Sequence, residues 1–398
     1  MIRPLALLCC IVPGMLLLHS CEAKPVKNDS VIRCGAEHTA LFFPLLKGKT
    51  VGLLANPTSL VGHTHLADTL KKAGIDLRKI FVPEHGFRGQ AGAGDVVDDA
   101  IDPVTGIPVI SLYGPRKKPS PADMKGLDVV IYDIQDVGVR FYTYISTLHY
   151  LMEACSDAGV LLIVLDRPNP LGYYIDGPVL DTAFRSFVGM HPVPVIYGMT
   201  PGEYAQMING EGWLGKDRRC NLKVIPCSHY SHNSRYHLPV NPSPNLSSME
   251  AVYLYPSLCF FEGTIMSLGR GTDFPFRVFG HPGYPDTTFS FVPKPNTANK
   301  APLFVNRTCY GTDLRNLTAG QLAQVKEINL DWLIDTYNTM GSNKSFFTAY
   351  FNQLAGTAQL KKQILAGETA AEIRETWQAD LENFKVLRRK YLLYDDFK

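Results

Sequence analysis

From Lys49 onward the chain alternates short apolar runs with amphipathic stretches. Thr50-Val51-Gly52-Leu53-Leu54-Ala55 is a continuous apolar run after its first residue, as a strand buried on both faces of a parallel sheet must be, and Asn56-Pro57-Thr58 ends it. The same pattern predicts strands over 77–82, 108–113, 129–133, 160–165 and 222–225. Helical periodicity falls between them, over 65–73 with Gly74 as its stop signal and over 143–158. Another helix begins at Thr200-Pro201-Gly202-Glu203, which joins a capping box to proline in the first turn. Apolar strands alternating with helices predict an α/β fold built on a doubly wound parallel sheet.

Past Trp213 the pattern changes. Asn241-Pro242-Ser243-Pro244-Asn245 is a proline-punctuated turn, and 263–295 is rich in glycine and proline. Helices are expected over 331–340, 346–366 and 369–393. The last carries Ile373, Trp377, Leu381, Phe384, Leu387 and Leu392 at amphipathic spacing. A chain of 398 residues predicts more than one domain. The boundary is placed between residues 35–238 and 239–398, with a cleft between the two.

The N-terminus reads as a targeting signal. Arg3 precedes an apolar stretch from Leu5 to Leu18, too short to span a membrane. It ends in Leu18-His19-Ser20-Cys21, which resembles the bacterial lipobox. Residues 1–21 are therefore expected to export the chain, with Cys21 as a lipid anchor in the periplasm or outer membrane and 22–34 as a flexible spacer. Cleavage and secretion without the lipid is the alternative. Six cysteines remain after the leader. Cys155 and Cys259 sit in apolar contexts, while Cys220 and Cys227 flank one strand and are the pair expected to bridge, if any does.

Composition narrows the function. A net charge of +2 with no Lys/Arg stripe argues against a nucleic-acid partner. Gly89, Gly92 and Gly94 lack dinucleotide-fingerprint spacing, and no phosphate loop is present, so no NAD or ATP cofactor is expected. Cys227, His229, His232 and His237 match no standard zinc spacing. No Gly-x-Ser-x-Gly elbow occurs.

The chemistry concentrates after the strands. Pro83 stops the second strand, so Glu84, His85 and Arg88 emerge at its carboxyl end, the edge where open α/β sheets bind ligands. Asp133 and Asp136 follow the fourth strand, with Gln135, Arg140 and Tyr142 on the same loop. Asp166, Arg167 and Asn169 follow the fifth. In a parallel sheet these three acidic clusters share one edge and are expected to converge. Carboxylates, amides, guanidinium groups and phenols together suit a carbohydrate. Glu262 and Arg270, on glycine-permitted loops, form a second set. The plainer reading is that Asp136 and Arg140 cap the following helix and pair with each other, and that Glu262 and Arg270 staple a loop.

Taken in order, Pro83-Glu84-His85-Gly86-Phe87-Arg88-Gly89, Tyr132-Asp133-Ile134-Gln135-Asp136-Val137-Gly138, Asp166-Arg167-Pro168-Asn169-Pro170, Asn241-Pro242-Ser243-Pro244-Asn245 and Phe261-Glu262-Gly263-Thr264 through Gly269-Arg270-Gly271-Thr272 resemble the exo-β-N-acetylmuramidase family. The likeness runs from about Gly35 to the C-terminus. One departure is Leu171 to Pro178, with Tyr and Asp where Gly and Glu are expected. The resemblance implies a Rossmann-like domain, a smaller α+β C-terminal domain, and release of N-acetylmuramic acid from the non-reducing end of peptidoglycan fragments. It makes Glu84 the leading catalytic residue, as general acid. The second participant stays open: Asp133 or Asp136 as base or nucleophile, or the substrate's own 2-acetamido group. His85, Asn245 and the polar residues named above would bind substrate. Arg88, Arg140 or Arg270 would meet the lactyl carboxylate. A non-catalytic lipoprotein that captures such fragments, and a metal-dependent amidase or deacetylase, are the rivals.

Overall fold

The computed structural model describes Met1 and residues 31–88 and 99–397. The leader, Cys21, the spacer through Ser30, and Gly89, Gly92 and Gly94 lie outside the described residues. Residues 32–398 form one compact unit.

Its centre is a seven-stranded sheet of β1 (Thr50–Ala55), β2 (Asp76–Val82), β3 (Ala100–Ile101), β4 (Pro108–Ser111), β5 (Val129–Asp133), β6 (Leu161–Leu165) and β7 (Leu222–Ile225). The spatial order is β3-β4-β2-β1-β5-β6-β7. All neighbours run parallel except the short edge strand β3, which is antiparallel to β4. The chain winds outward from β1 through β2 to β4, then returns to β5 on the other side of β1. The topological switch therefore lies between β1 and β5, and the carboxyl ends of all six parallel strands share one edge, as expected.

Period-two alternation divides the core. Val51, Leu53, Ala55, Ile80 and Val82 pack on one face with Phe42, Leu66 and Leu70 from two short helices. Leu54, Phe81, Val130 and Tyr132 point to the other face, under the helix Tyr144–Ala158. That second cluster continues without a break through Phe260, Phe261, Leu333, Trp377 and Phe384. One core thus crosses the expected boundary at 238–239. The smaller C-terminal part adds an antiparallel sheet of β8 (Val278–His281), β9 (Ser290–Phe291) and β10 (Cys309–Asp313), with β10 in the middle.

Two expected helices are each broken in the structure. The span 346–366 becomes Phe351–Ala355 and Gln359–Ala366, separated at Gly356, whose φ is 71°. The span 369–393 becomes Ala370–Glu375 and Gln378–Arg388. Thr376 donates its hydroxyl to the Ile373 carbonyl at 2.7 Å, a local bond that competes with helix continuation. Ile373, Trp377, Leu381 and Phe384 are nonetheless all buried, so the apolar spacing is real but serves two short helices. All six cysteines after the leader are buried and unbridged. Cys220 and Cys227 stand at opposite ends of β7, roughly 20 Å apart for an extended segment, far beyond disulfide reach.

Candidate active site

A cavity of about 560 Å³ opens at the carboxyl edge of the sheet, above β2 and β4, with walls from the C-terminal part. It does not sit at the switch itself. There the turn after β1 fills the crevice: Gln135 N donates to Thr58 Oγ1 at 3.0 Å, and the Ser59 hydroxyl donates to the Asp133 carbonyl.

Local backbone geometry delivers Glu84. Pro83 has no N–H to continue the ladder. His85 and Gly86 follow with φ of 74° and 76°, two successive left-handed residues that turn the chain sharply back. A histidine held there is strained, a condition that clusters at functional sites. Glu84 and His85 line the cavity. Tyr113, emerging beyond β4 on the neighbouring ridge of the edge, lines the same cavity and feels the Glu84 charge. Burial and then the Glu84 charge push the Tyr113 phenol well above its ordinary range, so it stays a proton donor.

The far wall is aromatic and amide-bearing. Tyr142 and Tyr144 meet edge to face at 4.7 Å, and the Tyr142 hydroxyl donates to the Pro242 carbonyl at 2.7 Å. This fixes the proline-punctuated turn that presents Asn245. Asn245 is only 3% exposed, and its Oδ1 has no hydrogen-bond partner in the protein, leaving an acceptor at the cavity wall. Glu262 faces Arg270, which donates Nε to Oε1 at 3.0 Å and Nη2 to the same oxygen. The flanking glycines are required. A Cβ at Gly269 would stand 2.6 Å from Val278 Cγ2, and one at Gly271 2.5 Å from the Lys294 carbonyl oxygen. The staple read for Glu262 and Arg270 is present, and it stands in the cavity wall. Glu84 and Glu262 are the carboxylates that line the cavity among the described residues.

The other expected site residues take structural partners instead. Asp133, fully buried, forms a two-pronged pair with Arg167, Nε–Oδ1 2.6 Å and Nη2–Oδ2 3.0 Å. Asp136 accepts from Gly138 N at 2.7 Å and from the Tyr197 hydroxyl, and burial raises its pKa to about 6. Gln135 donates to the carbonyls of Asp136 and Pro168 at 2.8 and 2.7 Å. Asp166 accepts from Thr200 Oγ1 at 2.7 Å and Gly202 N at 2.8 Å, holding the start of the helix Pro201–Gly210, and its pKa also rises to about 6 through burial. Asn169 bonds Met199 O and Leu171 N, each at 2.8 Å. Arg88 is shared between Asp102 and Asp68, which drives the Asp102 carboxyl well below the ordinary range.

Arg140 does not cap the helix that follows it or pair with Asp136. Its guanidinium donates Nη1 to the Pro178 and Val193 carbonyls at 2.7 and 2.8 Å, and Nη2 to Leu354 and Ala355 at 3.1 and 2.7 Å. It therefore ties the loop Phe141–Tyr144 on one wall to the segment carrying Tyr350 and Gln353 on the other. A Cβ at Gly356 would come within 2.6 Å of Arg140 Nη2, so glycine is needed there as well. Of the expected residues, then, Glu84, His85, Tyr142, Asn245, Glu262 and Arg270 share the cavity. Asp133, Gln135, Asp136, Arg140, Asp166, Arg167, Asn169 and Arg88 do not line it. Tyr144, the second phenol of the loop after β5, lines it too, and Tyr113, Lys117 and Tyr350 line it and were not anticipated. The available signal was position: Tyr113 and Lys117 follow β4, and β4 is the direct neighbour of β2.

Among the described residues no cluster of three or more metal-ligating side chains occurs. Of the histidines weighed for zinc, His232 bonds Glu203 Oε1 at 3.0 Å and the Gly172 carbonyl at 3.1 Å. An α/β sheet with a polar, aromatic-walled cavity at its carboxyl edge is a layout suited to a saccharide, and comparison with known proteins gives the class: the chain is a glycoside hydrolase. Residues 51–250 match the family model for the exo-beta-N-acetylmuramidase NamZ N-terminal region, and residues 253–394 match that for its C-terminal region. The peptidoglycan beta-N-acetylmuramidase NamZ of Bacillus subtilis (strain 168) is 37% identical over 370 residues, covering 88% of each chain. The chain belongs to the NamZ exo-β-N-acetylmuramidase family. Two solved DUF1343 family proteins from Bacteroides fragilis share its fold. One is 46% identical with a TM-score of 0.86, covering 92% of this chain and 100% of its own. The other is 29% identical with a TM-score of 0.78, covering 92% and 99%.

Proposed function

We propose that this chain releases N-acetylmuramic acid from the non-reducing end of peptidoglycan fragments, with Glu84 as the general acid. The observation that carries the reading is Glu84 itself: a carboxyl at the end of β2, lining the cavity beside the Tyr113 phenol. Hydrolysis begins as Glu84 gives its proton to the glycosidic oxygen while the bond from that oxygen to C1 breaks. The cationic sugar ring then needs an electron pair on its other face. Asp133 and Asp136, tied to Arg167 and to Tyr197, are left out of this step. Glu262 has Oε1 engaged by two guanidinium N–H groups, which weakens it as a nucleophile. The substrate's 2-acetamido oxygen is the remaining donor, closing a ring on C1 that water opens, with Glu84 as base in the second step. The unpartnered Asn245 Oδ1 is available to a sugar hydroxyl or amide N–H.

The test is incubation with the disaccharide of N-acetylmuramic acid β-1,4-linked to N-acetylglucosamine, followed by mass spectrometry. Wild type releases both sugars. Glu84→Gln binds the disaccharide but turns over about 10²–10⁴-fold more slowly, the span of a general acid's contribution. Binding without release by wild type would instead identify a capture protein.

We further propose that residues 1–21 export the chain and that Cys21 carries a lipid. Labelled fatty acid incorporated by wild type and not by Cys21→Ala supports this. Equal labelling of both would remove the anchor.

A further inference from the structure

Three cations follow β4 in a row, Arg116, Lys117 and Lys118. The outer two are committed to the scaffold. Arg116 pairs with Asp99 and, at 3.9 Å, with Asp123, and donates Nε to the Ser111 carbonyl at 2.9 Å. Lys118 bonds Glu153 at 2.9 Å and Asp157 at 3.0 Å. Lys117 goes the other way, into the wall of the Glu84 cavity. Its ammonium lies 4.3 Å from the centre of the Phe187 ring, and that ring stacks on Tyr150 with centroids 6.2 Å apart and planes 14° from parallel. The aromatic seat holds the charge in place. Among the described residues no carboxylate pairs with Lys117.

The cavity's other lining cation, Arg270, is already neutralised by Glu262. A half-buried ammonium with a fixed seat and no counter-charge is an incomplete ion pair, and its complement is a ligand anion. We propose that Lys117 is the specificity residue that reads the lactyl carboxylate of muramic acid, the group that glucosamine lacks. This rests on the muramidase reading above. It transfers the anion contact from Arg88, Arg140 and Arg270, each occupied by other partners, to a residue whose neighbours on both sides anchor its loop.

The experiment is calorimetric binding of N-acetylmuramic acid and of its lactyl methyl ester to the full chain. Wild type is expected to bind the acid at least about tenfold more tightly than the ester, as one charge-assisted contact provides. Lys117→Met is expected to bind both with wild type's affinity for the ester. Lys117→Glu is expected to invert the preference, which a merely structural role for Lys117 would not produce. An acid-over-ester ratio unchanged in both variants overturns the proposal, as does a wild type that binds acid and ester equally. Those outcomes leave disaccharide hydrolysis by wild type intact. Failure of the underlying reading looks different: wild type then neither binds nor cleaves the muramyl sugars.

Discussion

The carboxyl edge of the sheet has two halves that begin from the same sequence signal and end differently. Above β5 and β6, the acids after the strands are enclosed: Asp133 is held by Arg167, Asp136 by Tyr197 and Gly138, Asp166 by Thr200, Gly202 and Tyr394. Above β2 and β4, Glu84 lines a cavity among the phenols of Tyr113, Tyr144 and Tyr350, while Lys117 rests on an aromatic ring. An acid at the end of a parallel strand is thus a candidate only until its donors are counted. Where the protein supplies two or three donors, the carboxylate builds the floor. Where it lines a cavity instead, the carboxylate is left for substrate.

The sharpest way to break this contrast is to exchange the expected losses. Asp133→Ala leaves Arg167 as an uncompensated buried charge and should cost about 3–5 kcal/mol of stability, read by urea denaturation, while turnover per folded molecule stays within a few-fold of wild type. Glu84→Gln should do the reverse, with an unchanged denaturation midpoint and little turnover. If Asp133→Ala instead stays folded and loses turnover by orders of magnitude, the enclosed half belongs to the reaction after all.

A second test uses pH. Burial lifts the Asp136 pKa from its ordinary 3.8 to about 6. The native state therefore holds this proton more tightly than the unfolded chain does. Its stabilising contribution is complete below about pH 4 and is lost as pH rises to about 6. The full difference amounts to up to about 3 kcal/mol. Asp136→Asn, which stays neutral, should lose correspondingly less stability than wild type between pH 4 and 6. Asp166 acts with the same sign and persists in the variant, whereas Asp102, held low by Arg88, acts only at more acidic pH. Parallel pH–stability curves for wild type and Asp136→Asn would show that the enclosed acid is not held in its neutral form.

The smallest expected effect lies on the seam between the halves. Gly356→Ala places a Cβ against Arg140 Nη2 at a φ of 71° and should cost about 1–2 kcal/mol for the backbone alone. Because Arg140 holds the segment bearing Tyr350 and Gln353, KM should rise more than kcat falls. A pure stability loss with unchanged KM would mean that the staple does not position the wall.

Much of the fold was legible. Strands β1, β5 and β7 match the apolar runs residue for residue, and the Thr200 capping box forms with Glu203 as its sequence pattern requires. The broken C-terminal helices were not legible, because Ile373, Trp377, Leu381 and Phe384 satisfy helical spacing across a break made by one hydroxyl bond. Of the residues expected at the site, Glu84, His85, Tyr142, Asn245, Glu262 and Arg270 line one cavity, and Lys117 and Tyr113, which line it beside them, were not anticipated.

What the sequence determined by itself is local. Apolar runs punctuated by proline and glycine set the strands, and acids following parallel strands were bound to reach one edge, since strand direction and period two are properties of the backbone. What only the tertiary structure decided is which of those acids remain available. Their donors come from far along the chain, the Tyr394 hydroxyl for Asp166, the Tyr197 hydroxyl for Asp136 and the Arg167 guanidinium for Asp133. A hydrogen bond depends on a few tenths of an ångström and on angle, and the pattern of residues along a chain does not carry that information until the chain is folded.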